Sequence, residues 1–388
     1  MTIAGLFAGV GGIERGLHLA GHESKFLCES DSFAAEVLEE RFPGVALHPD
    51  IKSLHRLPKV DLVAAGFPCQ DLSQAGQTSG IKGGQSGLVD YLFELVRKAR
   101  PRPAWILLEN VPFMLFLHKG HAMQHVLEGL EDLGYTWAYR IIDAHAFGLP
   151  QRRKRMVILA SRSGDPRSVL LSEDAGPVAS QRRSDWWCGF YWTEGNSGVG
   201  WAVNALPPLK GGSRVGIPSP PAIWIPEDHR IVLPDIRDAE RLQGFTAGWT
   251  KPSGATFRDR LRWRMVGNAV SVPMAQWIGL RLSSPFEYDH RLDVPFEREK
   301  GWPKAAWGKR GYQFASPVSA WPVRRTMKPL SGFLRHPFTP LSVKAASGFL
   351  GRAKASGLRF EPGFLEDLEA HIERMRAGER LTVKELIG

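Results

Sequence analysis

Short apolar runs alternate with stretches of helical spacing along the first 160 residues or so. Ile3-Ala4-Gly5-Leu6-Phe7 has the length and content of a strand, and a glycine-rich turn and a helical pattern to residue 20 follow it. Lys25-Phe26-Leu27-Cys28 is a second strand ending at Glu29, and residues 34–41 are helical until Phe42-Pro43-Gly44 stops them. Leu62-Val63-Ala64-Ala65 is a four-residue apolar run of the kind a buried strand makes, broken by Gly66-Phe67-Pro68. Residues 88–99 and 121–133 carry amphipathic helical spacing, with a strand over 104–108 between them. Residues 135–143 and 155–161 form a final pair of strands. This β-α alternation predicts an α/β fold, a doubly wound and mostly parallel sheet.

The pattern changes at residue 162. Residues 162–236 are rich in Gly, Pro, Ser and Trp, and predict a smaller, irregular, β-leaning domain. Its tryptophans, Trp186, Trp187, Trp192, Trp201 and Trp224, suit the core of such a domain. Helical spacing returns over 237–282, interrupted at Gly267-Asn268. Four segments result: 1–161, 162–236, 237–285 and a C-terminal extension, 286–388. In the extension, residues 301–340 read as loop, and 362–377 as a helix with Leu365, Leu368, Ile372 and Met375 on one face behind Pro362.

Composition narrows the partners. The net charge of +10 and the basic isoelectric point suit a polyanion such as nucleic acid. The excess is local: residues 300–360 hold twelve Lys and Arg and no Asp or Glu. Those cations either line a nucleic-acid path or form a surface on a segment that braces the two domains. No apolar run is long enough for a membrane span, and the N-terminus lacks the basic start of a signal peptide, so a cytoplasmic protein is expected. Cys28, Cys69 and Cys188 are far apart, and the histidines lack ligand spacing, so no metal site is expected.

The candidate chemistry gathers at strand ends. Cys69 directly follows Pro68 beyond the run 62–65, where α/β sheets bind ligands. Phe7-Ala8-Gly9-Val10-Gly11-Gly12 opens a helix, and its glycines let backbone approach a ligand there. Glu29 ends the next strand where an acid grips ribose hydroxyls, and Asp50-Ile51 ends a third segment. Together these suit a nucleoside cofactor without a pyrophosphate. Glu109-Asn110-Val111 sets a carboxylate at the same edge as Cys69. In Gln151-Arg152-Arg153-Lys154-Arg155 the alternate residues Gln151, Arg153 and Arg155 point to one face if the segment is extended.

In this order and spacing these motifs, with Gly267-Asn268-Ala269-Val270 and the segment 237–245, resemble those of the cytosine-C5 DNA methyltransferases. The resemblance covers residues 1–165 and 235–283. It implies a Rossmann-like methyltransferase sheet, S-adenosylmethionine as cofactor and double-stranded DNA as partner. It also implies a restriction-modification role, with a separately encoded endonuclease and a monomeric enzyme as further expectations. Cys69 would attack C6 of a flipped-out cytosine, with Pro68 and Gln70 around it. Glu109 would hold the N3 and amino edge of the base, Arg155 its O2, and Arg153 the adduct or a phosphate. Cofactor contacts would come from Phe7, Gly9, Gly11, Glu29, Asp50, Ile51, Asn268 and Val270, with Phe7 and Ile51 sandwiching the adenine. Residues 162–236 occupy the place of the target-recognition region, with Leu209-Lys210-Gly211-Gly212-Ser213 as its candidate contact loop. Two departures stand out: Ser30 replaces an aromatic residue after Glu29, and Pro208 replaces the threonine before Leu209. A tRNA cytosine-5 methyltransferase and a catalytically silent DNA-binding relative remain as alternatives.

Overall fold

The computed structural model describes residues 1–68, 87–177, 186–196, 198–211, 220–253, 259–296 and 301–378, with Asp259 and Arg260 described by backbone alone. In chain order the first strands are β1 (Thr2–Leu6), β2 (Glu23–Cys28), β3 (Ala46–His48), β4 (Leu62–Ala65), β5 (Trp105–Asn110), β6 (Thr136–Asp143) and β7 (Lys154–Ser161). Then come β8 (Cys188–Phe190), β9 (Ala202–Val203), β10 (Ala222–Ile225) and β11 (Arg230–Leu233). The last are β12 (Val294–Pro295), β13 (Ala305–Lys309), β14 (Tyr312–Ala315) and β15 (Thr339–Pro340). The chain divides into two compact units. One comprises Met1–Phe147, Lys154–Val178 and Ala269–Arg325; the other comprises Gly148–Arg153, Ala179–Asn268 and Thr326–Gly388.

The first unit holds a ten-stranded sheet in the order β12-β14-β13-β6-β7-β5-β4-β1-β2-β3. Its half from β5 to β3 is parallel, and β7, β6 and the three later strands are antiparallel. Strand residues alternate between two cores, as a doubly wound sheet requires. Ala4, Val63, Ala65, Ile106 and Leu108 pack with Leu92, Val96, Val126 and Leu130 of the helices Leu88–Lys98 and His121–Asp132. Ile3, Leu62, Ala64 and Leu107 pack on the other face with Ile13 and Leu17 of helix α1 (Gly12–Leu19) and with Met274 and Ile278 of the helix Val272–Ser283. These last two helices touch closely. A Cβ at Gly12 would stand 2.4 Å from the Val270 carbonyl oxygen, and one at Gly16 2.5 Å from the Ala275 Cβ. Gly12 and Gly16 are therefore packing glycines.

The stretch expected to be loop over 301–340 contains strands. β13 adds to the free edge of β6, with Trp307 opposite Ala138, and turns through Arg310 and Gly311 into β14. Both turn residues have positive φ, 46° and 84°, as a two-residue hairpin of matching twist demands.

The second unit is built on the antiparallel sheet β15-β11-β10-β8-β9. One face carries an aromatic core of Phe190, Trp201, Trp224, Phe349 and Phe364, with Leu368 and Ile372. The tryptophans Trp201 and Trp224 are thus core residues, as the sequence suggested. The other face packs Ile223, Ile225 and Val232 on Leu206, Leu242 and Val266. The expected C-terminal helix forms over Phe364–Arg376, and its apolar face closes this small sheet. Trp224 Nε1 donates to Asp367 at 2.7 Å, fixing the helix on β10. The segment 286–388 is therefore no single extension: it supplies strands to the first unit and core to the second.

Candidate active site

Chain reversal in the parallel half creates the site. β1 pairs with β2 on one side and β4 on the other, so successive connections leave in opposite directions. The crevice at the carboxyl ends of β1 and β4 is the switch point where open α/β sheets bind ligands. Register brings the motifs level. Leu6 lies beside both Cys28 and Ala65, and Ala65 beside Leu108. Phe7, Glu29, Gly66 and Glu109, each one residue further on, therefore share one edge.

Phe7 has φ 53°, a left-handed conformation costly for an aromatic residue and informative when it occurs in a loop of this kind. Gly9 and Gly11 follow with φ 56° and 79°. A Cβ at Gly11 would meet the Phe42 ring at 2.3 Å, whereas one at Gly9 would meet nothing within 4 Å among the described residues. Of the two predicted glycines, Gly9 meets no neighbour among the described residues, and Gly11 packs on the next helix. Glu29 fixes the loop: its Oε2 accepts from Gly9 N at 2.7 Å, and its Oε1 accepts from Asp31 N at 2.8 Å. Each carboxylate oxygen can accept a further bond. Asp50 caps a short helical turn by accepting from Lys52 N at 2.9 Å, and Ile51 behind it is buried in the core. Phe7 is half-buried, whereas Ile51 is buried. Val270 lies near the same edge, its Cγ2 being 3.9 Å from where a Cβ at Gly66 would stand.

Glu109 closes β5. Arg155, from the neighbouring antiparallel strand β7, meets it with Nε 2.9 Å from Oε1, both side chains being largely buried. A Cβ at Gly66 would lie 3.5 Å from the other carboxylate oxygen, Oε2, so that oxygen lies on the Gly66 side. Asn110, the next residue, clamps the chain ahead of the cysteine: its Nδ2 donates to the Phe67 carbonyl at 3.0 Å, and its Oδ1 accepts from Val111 N at 2.8 Å. Pro68 is exposed at the end of this clamped stretch. Cys69 and Gln70 lie outside the described residues. The other two cysteines are unsuited to nucleophilic work. Both are buried, and burial, aided by the charges of Glu29 and Asp50, pushes the Cys28 thiol up to about 12.

The structure corrects the expectation that Gln151, Arg153 and Arg155 share one face of an extended segment. β7 begins only at Lys154. Arg153 is fully buried within the second unit, donating from Nη1 to the Leu209 carbonyl at 2.8 Å and from Nη2 to the Gly267 carbonyl at 3.0 Å. A side chain so engaged ties the 209–211 chain to the end of the helix Asp259–Asn268 within the second unit. Gln151 is equally buried, accepting from Leu209 N at 2.9 Å and donating to the Leu242 carbonyl at 2.8 Å. A Cβ at Gly267 would stand 2.2 Å from the Lys210 carbonyl carbon, so the chain at 209–211 lies directly on the end of the helix Asp259–Asn268. Asn268 is exposed there, its side chain beside Gly211. Within the second unit, Asn268 is thus placed against the candidate contact loop. The clamping roles of Asn110 and Gln151 were not read from sequence; the only signal was an amide at a strand end and one two residues before a buried arginine. Among the described residues no cluster of His, Cys, Asp and Glu could hold a metal ion, and no helix is long and apolar enough to cross a membrane.

Comparison with known proteins agrees with this geometry. Residues 1–184 match the family described as C-5 cytosine-specific DNA methylase. The chain is 49% identical to the Type II methyltransferase M2.BsuMI of Bacillus subtilis over 95% of its own length and 97% of that protein. It is 35% identical to the Type II methyltransferase M.BsuFI, also of Bacillus subtilis, over 41% of its length and 39% of that protein. In fold it is similar to the S. pombe Dnmt2 methyltransferase, with a TM-score of 0.55 at 18% identity, covering 73% of this chain and 98% of that one.

Proposed function

Because the chain belongs to the C-5 cytosine-specific DNA methylase family, we propose that it methylates C5 of a flipped-out cytosine in a specific duplex sequence, through a covalent adduct between Cys69 and C6. The carrying observation is Glu109, held by Arg155 at 2.9 Å with its second oxygen toward Gly66, beside a backbone that Asn110 clamps two residues before Cys69. C5 of cytosine is a poor nucleophile. Thiolate addition at C6 makes C5 enamine-like, and Glu109 supports this by holding a proton at N3. Arg155 both orients Glu109 and offers its cation to the O2 side of the base. Loss of the C5 proton then lets the Cys69 thiolate leave.

The crevice fits S-adenosylmethionine: Gly9 backbone meets no neighbour among the described residues, Glu29 retains acceptor capacity for ribose hydroxyls, and Phe7 presents ring surface for the adenine. When bound, that cofactor supplies the methyl group on an electrophilic sulfonium. Asp50 follows β3 and Val270 lies near Gly66 at the same edge of the first unit. The second unit reads the DNA sequence, with the loop at 209–211 set by Gln151 and Arg153. A Type II restriction-modification role fits the relatives' names, and the same reading carries a cytoplasmic location and a separately encoded endonuclease.

The test is adduct trapping. Duplex DNA with 5-fluorocytosine at the target, supplied with S-adenosylmethionine, should form a stable covalent complex with the wild type and none with Cys69→Ala. Tritium transfer from the cofactor to duplex DNA and to tRNA in parallel identifies the substrate class, and transfer to tRNA alone would overturn the DNA reading. Bisulfite sequencing of DNA from expressing cells then reads the methylated context.

A further inference from the structure

Glu14 is an acid that the reaction above does not use. It stands in the first turn of α1, directly after the glycine loop, and is 1% exposed. Its carboxyl group presses on β1: a Cβ at Gly5 would lie 2.2 Å from Oε1 and 3.0 Å from Leu27 Cδ2. Gly5 is thus the residue whose missing side chain makes room for the acid, against an apolar neighbour. Oε2 is buried and meets no hydrogen-bond donor among the described residues. A bare carboxylate oxygen in such a place is costly, and the group escapes the cost by taking a proton.

The surroundings agree. Burial raises its pKa to about 7; the bond from its own backbone N–H opposes this, and the charge of Glu29 adds to it. Gly5 of β1 and Leu27 of β2 bring no charge, so Glu29, just beyond β2, is the ionisable neighbour among the described residues. Glu29 is also the residue that holds Gly9. Any ligand that donates to Glu29 or brings a cation to this loop therefore changes the field at Glu14.

We propose that Glu14 is protonated in the cofactor-free protein and releases that proton to solvent when a sulfonium cofactor binds, so that its charge matches the methyl donor and not the neutral thioether product. The inference rests on the proposed use of S-adenosylmethionine. An ionised Glu14 attracts the donor; after methyl transfer the sulfur is uncharged and the carboxyl takes its proton back, loosening the product. The sign follows from linkage: binding that releases a proton strengthens as pH rises towards the free-state pKa and levels off above it.

Calorimetry at pH 7 in buffers of different ionisation enthalpy, with the full chain, counts the protons released on binding S-adenosylmethionine or S-adenosylhomocysteine. The wild type should release more protons with the donor than with the product, and Glu14→Gln should lose that excess. Between pH 6 and pH 8 the donor should bind about tenfold more tightly to the wild type, relative to the same ratio in the variant. The cofactor's own amino group titrates in both proteins, so the difference isolates Glu14. Should the variant fold poorly, the wild type suffices: the infrared carbonyl band of a protonated buried carboxyl should weaken on adding the donor and persist with the product. Equal proton counts in wild type and variant, or a band unmoved by the donor, would overturn the inference. Failure of the wild type to bind the donor at all would instead overturn the cofactor assignment.

Discussion

Arg153→Met separates a clamp from a catalytic contact. The guanidinium is fully buried and donates to the carbonyls of Leu209 and Gly267 at 2.8 and 3.0 Å. Methionine fills similar volume without donors. Each carbonyl left without a partner costs about 1–3 kcal/mol, partly offset because the buried cation's own desolvation disappears. A net loss of about 3 kcal/mol follows, which in a domain of this size lowers the melting temperature by roughly 6–12 °C. The loop at 209–211 loses a tether at the same time, so discrimination between target and non-target duplexes should fall while S-adenosylmethionine affinity holds. Thermal and urea unfolding, cofactor titration and trapping on 5-fluorocytosine duplex read these effects separately. An Arg153→Met protein with wild-type melting temperature and wild-type loop behaviour, yet unable to form the adduct, would refute the reasoning and return Arg153 to the reacting base.

Other perturbations discriminate equally well. Glu109→Gln should slow methyl transfer by about 100-fold or more while leaving cofactor affinity near normal, because it removes the group that holds a proton at N3; single-turnover rates and cofactor titration check both halves. Arg324 donates to the Ala175 carbonyl at 2.7 Å, and more weakly to those of Gly176 and Pro177, so Arg324→Gln should lower stability and leave the salt slope of DNA binding alone. Lys328, exposed in the second unit, should do the reverse: Lys328→Gln should flatten the salt slope by about one contact without changing the melting temperature or the target. Exchange of residues 162–236 with the matching region of a relative should change the sequence context that bisulfite sequencing reports; an unchanged context in a folded chimera would place recognition elsewhere.

The parallel half of the sheet was legible because its signals are local. Leu62 to Ala65 is apolar throughout and bounded by Gly66-Phe67-Pro68, so strand and stop are both written within seven residues. The same holds for β1 with its glycine turn and for Glu109 at the end of β5. The hairpin of β13 and β14 was not legible in the same way. Its turn is Arg310-Gly311, with an arginine at a positive φ where asparagine is the familiar sign, and its partner strand β6 lies 165 to 171 residues earlier (Ala305 opposite Arg140, Gly308 opposite Trp137). The positions of Cys69 and Gln70 are read from sequence alone.

What the sequence by itself determined is the order of chemistry along the chain: a glycine loop, an acid at the end of β2, a cysteine after proline, an acid and amide at the end of β5. Side-chain type and strand-end position carry that information without knowledge of distant partners. The tertiary structure decided the rest. It buried Arg153 and gave it a clamping contact that the sequence does not show, because the two carbonyls its donors reach come from residues 56 and 114 positions away. It divided the basic C-terminal segment between the two units, because the aromatic face of the small sheet is closed only when Phe349 and Phe364 reach it. And it revealed Glu14, whose spacing is that of any first-turn acid. Only the absence of a side chain at Gly5, across a strand-to-helix contact, made room to bury its carboxyl group.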